Sequence, residues 1–270
     1  MKRNYLKQTF VILLLFISSI AFAQTDSIKS NFNLNIGADI MSRYVWRGTQ
    51  FGGNSPSIQP AINLSYKNFN LGAWGAYSTG GVHASQELDL SLSYNFLKNI
   101  FTAIITDYYF PSDTAKYNYF GYDNKTGHIG ELGLIFNGTK KIPLTFSAYV
   151  NILGNDAQTL GDNPNDTTTF NKDTGIQYSN YFELAYSNTL KNVDFNVFVG
   201  FTFNNPKEKN INTGFIGETG FYGNGPGIVN LGINISKSVK ITNNYSLPIT
   251  ASFITNPQAE KIFLVFGISF

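Results

Sequence analysis

Along most of the chain the hydrophobic residues occupy every second position. Val229, Leu231, Ile233 and Ile235 alternate with Asn230, Gly232, Asn234 and Ser236. Leu88, Leu90, Leu92 and Tyr94 alternate with Glu87, Asp89, Ser91 and Ser93, and Val193, Phe195, Val197, Val199, Phe201 and Phe203 share one parity. Successive side chains of a β-strand point to opposite faces, so each run reads as a strand with one apolar face and one face of Asn, Ser, Thr, Gly and charge. The pattern predicts about twelve strands, near 31–47, 57–66, 69–78, 86–96, 99–110, 128–137, 142–152, 178–187, 193–203, 227–237, 246–255 and 261–270. No helical period survives past residue 24.

The connections alternate as well. Long links at 48–56, 79–85, 111–127, 153–177 and 204–226 interleave with short ones at 67–68, 97–98, 138–141 and 188–192. The link at 238–245 is a longer member of the short set, and 256–260 a shorter member of the long set. Short periplasmic turns alternating with longer outer loops predict a transmembrane antiparallel up-and-down β-barrel, and the even strand count puts both termini on the periplasmic side. Tyr66, Phe69, Tyr94, Phe101, Phe136, Tyr186, Phe195 and Tyr245 flank the short turns and are expected to form the inner aromatic girdle; Tyr44, Trp46, Tyr77 and Tyr108 are expected to form the outer one. A soluble β-sandwich or lipocalin-like barrel is the alternative, but its water-facing strands would carry breaks in an apolar face this regular.

The N-terminus bears on the compartment. Lys2, Arg3 and Lys7 precede an apolar run from Phe10 to Ile20, followed by Ala21-Phe22-Ala23. This is the layout of a secretory signal peptide, 1–23, cleaved to leave a barrel domain at 24–270. The run is shorter than the ~20 residues of a spanning helix. Losing three basic residues leaves 16 Lys+Arg against 17 Asp+Glu, a net charge of −1, so no basic nucleic-acid surface is predicted. There is no cysteine, and charged residues make up only 13% of the chain against a usual share of about 25%. Export into the outer membrane of a Gram-negative bacterium, in contact with lipid and small solutes and as a monomer, is the expectation. The final run places Ile262, Leu264, Phe266, Ile268 and Phe270 on one face. It resembles the recognition end of bacterial outer-membrane barrels, which implies the barrel-assembly machinery as a partner and pairing of this strand with the first.

Parity also assigns the lumen. In the first segment Asp39, Arg43 and Arg47 share a face, which alternation turns inward while Tyr44 and Trp46 meet lipid. An Arg on the lipid face at mid-membrane costs about 2–4 kcal/mol. Glu87, Asp89, Glu131, Glu183 and Asp194 are expected to point inward too, whereas Asp107 shares the parity of Phe101, Ala103 and Ile105. The lumen residues Asp39, Arg43, Arg47, Glu87, Asp89, Glu131 and Glu183 either form an ion network that fills the barrel or a charged constriction that selects solutes. Twelve strands enclose a backbone cylinder about 25 Å across, and side chains leave a bore of at most about 14 Å, narrowed by Trp74, Tyr149 and Phe198.

No catalytic residue, metal or cofactor is predicted. The two histidines, His83 and His128, read as loop or rim residues with no nucleophile–base context. Asp156, Asp162, Asp166 and Asp173 lie in the 153–177 link without EF-hand spacing and read as a solvated loop. The glycines of 217–227 lack the lysine and strand-to-helix setting of a phosphate loop.

Five stretches of the N-terminal half, SRYVWRG, PSIQPAINLSY, NLGAWGAYST, ELDLSLSY and DYYFP, resemble the TorF-type porin family of the bacterial envelope. The matching positions are Ser42, Tyr44, Trp46, Arg47, Gly48, Pro56, Gln59, Trp74, Glu87 and Asp89, with YSTGG and a longer fourth outer loop as departures. The resemblance implies an outer-membrane channel. With the lumen reading it leads to a porin-like path for passive diffusion of small polar or charged solutes; the alternative is a plugged, non-conducting barrel that displays its outer loops to a ligand or protein.

Overall fold

The computed structural model describes residues 31–80, 85–112, 120–123 and 125–270; the expected signal peptide and His83 lie outside these residues. The described chain is all β. Its strands are β1 (Phe32–Met41), β2 (Tyr44–Trp46), β3 (Thr49–Phe51), β4 (Ser57–Tyr66), β5 (Phe69–Ser78), β6 (Gln86–Phe96), β7 (Phe101–Tyr109) and β8 (His128–Phe136). They continue as β9 (Leu144–Gly154), β10 (Gln158–Leu160), β11 (Asp173–Ile176), β12 (Asn180–Leu190), β13 (Val193–Thr202), β14 (Gly227–Lys240), β15 (Ser246–Asn256) and β16 (Lys261–Ser269). Twelve of them close an antiparallel barrel in the order β1-β16-β15-β14-β13-β12-β9-β8-β7-β6-β5-β4; β2–β3 and β10–β11 are separate hairpins.

The wall strands turn their apolar parity outward, except at the β14 irregularity opposite Gly200 and Phe201, where Val229, which alternation places with Leu231 on the outward face, is buried. Leu64, Leu71, Leu90, Leu132, Val197 and Leu264 are all exposed, Leu90 at 51% and Leu264 at 58%. Such a belt is far larger than the apolar patches a water-facing surface carries, and it suits a hydrocarbon surround, in which a closed barrel also satisfies every backbone group of its wall. Closure is made where β1 meets β16: Asp39, Ile40 and Met41 pair with Ser269, Ile268 and Gly267, and Phe270 exchanges backbone hydrogen bonds with Ala38.

Short turns gather at one end. The turns at Lys67 and at Lys191–Asn192 take positive φ, the left-handed geometry that matches the strands' own twist in tight hairpins. Around this end the rings touch in sequence: Phe32 on Tyr66 at 4.4 Å, Phe69 on Tyr94 at 4.7 Å, Phe96 on Phe101 at 5.6 Å, and Phe101 on Phe136 at 5.5 Å. β1 begins and β16 finishes at this same end.

At the other end the long links fold on one another. The β10–β11 hairpin is tied to residues 204–226 through Glu218, whose carboxylate accepts from the backbone N–H of Leu160 and of Lys207, both at 2.8 Å. Asn171 donates to the Gly214 carbonyl at 2.9 Å and accepts from the Ile216 N–H at 3.0 Å.

One predicted element divides. The strand expected over 31–47 leaves the wall after Met41. Ser42 Oγ accepts from Phe266 N–H, and its own N–H donates to the Phe266 carbonyl, so the wall ladder ends there. The chain then makes the β2–β3 hairpin, turned at Arg47 and Gly48 with φ of 47° and 74°. Tyr44 and Trp46, expected against lipid, therefore lie inside the barrel, Tyr44 only 8% exposed. Tyr108, placed in the same outer girdle, is an inward, buried residue of β7; Tyr77 does face outward. Alternation is common to a strand that stays in the wall and a hairpin that folds inward, so parity alone does not separate them.

Candidate functional site

The β2–β3 hairpin crosses the interior. Its first residue, Tyr44, packs on Trp74 of β5 at 5.3 Å and donates to Glu87 of β6 at 3.2 Å. Trp46 packs on Tyr108 of β7 at 5.3 Å. At the tip, Arg47 reaches Glu131 of β8, while its guanidinium sits 4.1 Å from the ring centre of Tyr149 on β9 and 4.5 Å from that of Tyr181 on β12. Gly48 lies on β14, and its carbonyl accepts from Asn256 at the end of β15 at 3.3 Å. One short hairpin thus meets inward side chains from most of the wall.

The turn explains Gly48. A Cβ there would stand 1.9 Å from the Val229 carbonyl oxygen, and φ is in the left-handed region, so only glycine permits the tip to seat. Two wall glycines make room for the cage: a Cβ on Gly133 would meet the Tyr149 ring at 2.6 Å, and one on Gly200 the Tyr181 hydroxyl at 2.0 Å.

Arg47 is fully engaged. Nη2 donates to Glu131 Oε1 at 3.0 Å, and Nη1 donates both to Glu131 Oε2 and, at 2.5 Å, to the Tyr222 hydroxyl. Tyr108 donates to Glu131 Oε1 at 2.8 Å. The rings of Trp46, Tyr149, Tyr181 and Tyr222 surround the cation at 4.1–5.8 Å. The side chains of Arg47 and Glu131 are 9% and 2% exposed. Arginine suits this place: its planar fork binds a carboxylate bidentately and its flat faces stack on rings.

The other predicted lumen residues do not join one network. Arg43 donates to Gln50 at 3.0 Å and makes no ion pair among the described residues. Glu87 holds Tyr44. Asp89 stands opposite Trp74 in the β5–β6 register, and Asp39 opposite Gln59 and Ser269. Glu183 accepts from Tyr181 and, at 3.1 Å, from Asn230. The 14 Å bore expected from strand number is absent at the level of Arg47, where the hairpin and Tyr222 occupy it. His128, expected at the rim, is the first residue of β8, where it is buried with Nδ1 3.0 Å from Asp107. One further reading is corrected. Asp156, expected in a solvated loop, is buried and accepts from the Ser179 N–H at 2.9 Å and Asn151 at 3.0 Å.

Tyr222, Asn256 and Val229 carry no sequence signal of their own as partners of the tip. The Arg47-Gly48 pair does, because a glycine between an aromatic strand and a short polar one marks a tight hairpin turn.

Fold and interior together define a closed twelve-stranded β-barrel with an apolar exterior and an in-folded hairpin. The chain belongs to a bacterial family of unknown function, Gcw_chp, which residues 25–181 match. No curated protein matches the chain. Among solved structures it is similar to OprD of Pseudomonas aeruginosa, at 12% identity over 90% of this chain and 66% of that one, with a TM-score of 0.34. It is similar to the COG4313 outer membrane channel of Pseudomonas putida F1, at 10% identity over 92% of this chain and 97% of that one, with a TM-score of 0.37. It is also similar to Wzi of Escherichia coli, an outer membrane protein involved in group 1 capsule assembly and a carbohydrate-binding β-barrel, at 12% identity over 88% of this chain and 56% of that one, with a TM-score of 0.31. The chain thus spans just under two thirds of the length of OprD and little more than half that of Wzi.

Proposed function

We propose that this protein is a bacterial outer-membrane barrel that passes small polar solutes, with the β2–β3 hairpin as a gate that is shut in the conformation described here. The carrying observation is the hairpin's placement: Tyr44, Trp46, Arg47 and Gly48 engage inward residues from β5 round to β15, and the Arg47–Glu131 pair pins the tip. The outward apolar belt supports the membrane setting. The resemblance to TorF-type porins supports the compartment and the channel class.

This differs from an open porin with a charged constriction. Arg47 and Glu131 hold the gate and do not line a free path. A pair this deeply buried releases its partners only at a cost of several kcal/mol, so openings are rare.

Conductance of the refolded mature protein in a planar bilayer tests the gate. The intact chain is expected to show low, infrequent openings, and a variant with residues 43–51 replaced by a glycine-serine linker a larger and steady conductance. An intact chain that is permanently open, with a conductance indifferent to the hairpin, overturns the gate. Silence from both folded proteins favours the second reading, a permanently plugged barrel acting through its outer loops. The docking of 204–226 on the β10–β11 hairpin is the observation that supports that second reading.

A further inference from the structure

Beside the hairpin lies a lumen cavity of about 310 Å³, bounded by Arg43, Tyr44 and Gln59 on one side and by Asn196, Asn230 and Asn234 on the other. Ser252, Phe198 and Glu183 complete the part of its lining that bears on a ligand. These positions follow from register: Gly200–Asn230, Phe198–Gly232 and Asn196–Asn234 pair across β13 and β14, and Asn234–Ser252 across β14 and β15, which stacks amide and hydroxyl groups on one inner wall.

The charges at this cavity balance one another: Arg43 and Glu183 are of opposite sign, and neither is ion-paired among the described residues. Arg47, which also borders it, is bound by Glu131. Glu183 accepts from Tyr181 and Asn230, and Arg43 gives one nitrogen to Gln50. What is left over is hydrogen-bonding capacity with no net charge. Asn230 is 6% exposed and its Oδ1 has no partner; Arg43 Nε is likewise buried without one. A buried amide oxygen without a hydrogen bond costs free energy, which a ligand hydroxyl would recover once the Asn230 amide turns towards the cavity.

We infer that this cavity is a binding site for a small neutral polyhydroxylated solute, of the size of one or two sugar rings, and that such solutes are the class the barrel passes. The inference rests on the gated-channel reading for its transport meaning, but the site stands on its own geometry. Each hydroxyl is both donor and acceptor, which matches side-chain amides that present both. Phe198 and Tyr44 give an apolar surface to the C–H faces of a ring. A charged solute would find Arg43 and Glu183 of opposite sign on one small cavity, with no net charge to answer its own. The volume is at the small end of the ~300–1,000 Å³ found for small-molecule sites.

The cavity also leads somewhere. A second polar space of about 470 Å³ shares Asn196 and Asn234 with it and continues past Ser187, Thr189 and Ser236 towards the short-turn mouth. Asp194 is the one charged residue lining that second space. A solute therefore reaches the hairpin along amides and hydroxyls.

Isothermal titration of the refolded mature protein in detergent tests the site, with glucose and sucrose as probes and sodium glutamate and arginine hydrochloride as charged controls. At least one sugar is expected to bind saturably, with both charged probes weaker by roughly tenfold or more. Asn234→Leu, at the junction of the two spaces, is expected to weaken the sugar roughly tenfold, and Asn234→Gln to recover part of the loss. Retained β-sheet circular dichroism shows that each variant is folded. No saturable heat with either sugar, tighter binding of a charged probe, or equal sugar binding by folded Asn234→Leu overturns the inference. Titration carries no current, so a failed gate in the bilayer leaves this site standing, and a failed titration leaves the gate standing.

Discussion

Arg47 and Glu131, 84 residues apart in the chain, meet inside the barrel as a bidentate pair, and together they lock a hairpin that is not part of the wall. Removing one partner strands the other. Arg47→Ala leaves a carboxylate, 2% exposed, with only Tyr108 and Tyr222 to answer it, a loss of about 3–5 kcal/mol in stability. The paired change Arg47→Met with Glu131→Leu is expected to recover most of that loss while leaving the hairpin tip loose. Denaturant unfolding in micelles reads the first effect and bilayer conductance the second. Equal unfolding midpoints for the wild type and Arg47→Ala would show that the pair holds nothing.

Gly48 seats the tip. Gly48→Ala puts a methyl against the Val229 carbonyl in a left-handed turn, and is expected to cost about 1–3 kcal/mol or to expel the tip from the wall. Gly225→Ala, where a Cβ meets nothing within 4 Å, is the control and is expected to change stability by less than about 0.5 kcal/mol. Limited proteolysis at residues 43–51 separates a seated hairpin from an expelled one. Equal protection of both variants would remove Gly48 from that role.

The chain's two tryptophans, Trp46 and Trp74, both lie on the inner side of the wall, in contact with Tyr108 and Tyr44. Lipids brominated along the acyl chain quench indoles that touch them. The emission of the protein is therefore expected to be the same in brominated and ordinary bilayers. Strong quenching would return Trp46 to the lipid face that simple alternation assigns to it.

In the cap, Asp166 accepts from the hydroxyls of Thr168 and Thr169 and from the Thr168 N–H, which holds its carboxyl down to about 2 from an ordinary 3.8. Asp162 is held below its usual range by hydrogen bonding to Lys207 and by that residue's charge. A folded-state value below the unfolded one means that the contribution is complete above about pH 4 and fades as pH falls towards 2. Protease resistance of residues 161–172 is expected to be flat from pH 7 to 4 and to drop below that, and Asp166→Ala to lower it at pH 7. A loss already complete at pH 5 would place the cause elsewhere.

Much of the wall was legible in the alternation. The predicted run at 86–96 is β6 residue for residue, and 57–66 and 69–78 are β4 and β5. Leu88, Leu90 and Leu92 face outward because a period of two, once one face is greasy, leaves no other choice. The interior was legible only in part. Glu131 was a candidate, but nothing local marked Arg43 as a partner of Gln50, or Asp156 as the buried cap of Ser179. The first contact exists because the chain turns back as the β2–β3 hairpin and the second because β9 and β12 are neighbours in the wall, and parity announces neither.

What the sequence determined by itself is the architecture: the number of wall strands, the bounds of most of them, most of the outward face and the end at which the turns are short. Each is a property of a segment and its immediate links, written in residues that are neighbours in the chain. What only the tertiary structure decided is the state of the lumen. At Ser42 the chain stops pairing in the wall, and beyond that point parity no longer says whether Tyr44 and Trp46 see lipid or interior. The answer came from Glu131, Tyr149, Tyr181 and Tyr222, distant in sequence, whose carboxylate and rings make the interior the one place where the Arg47 charge is fully answered.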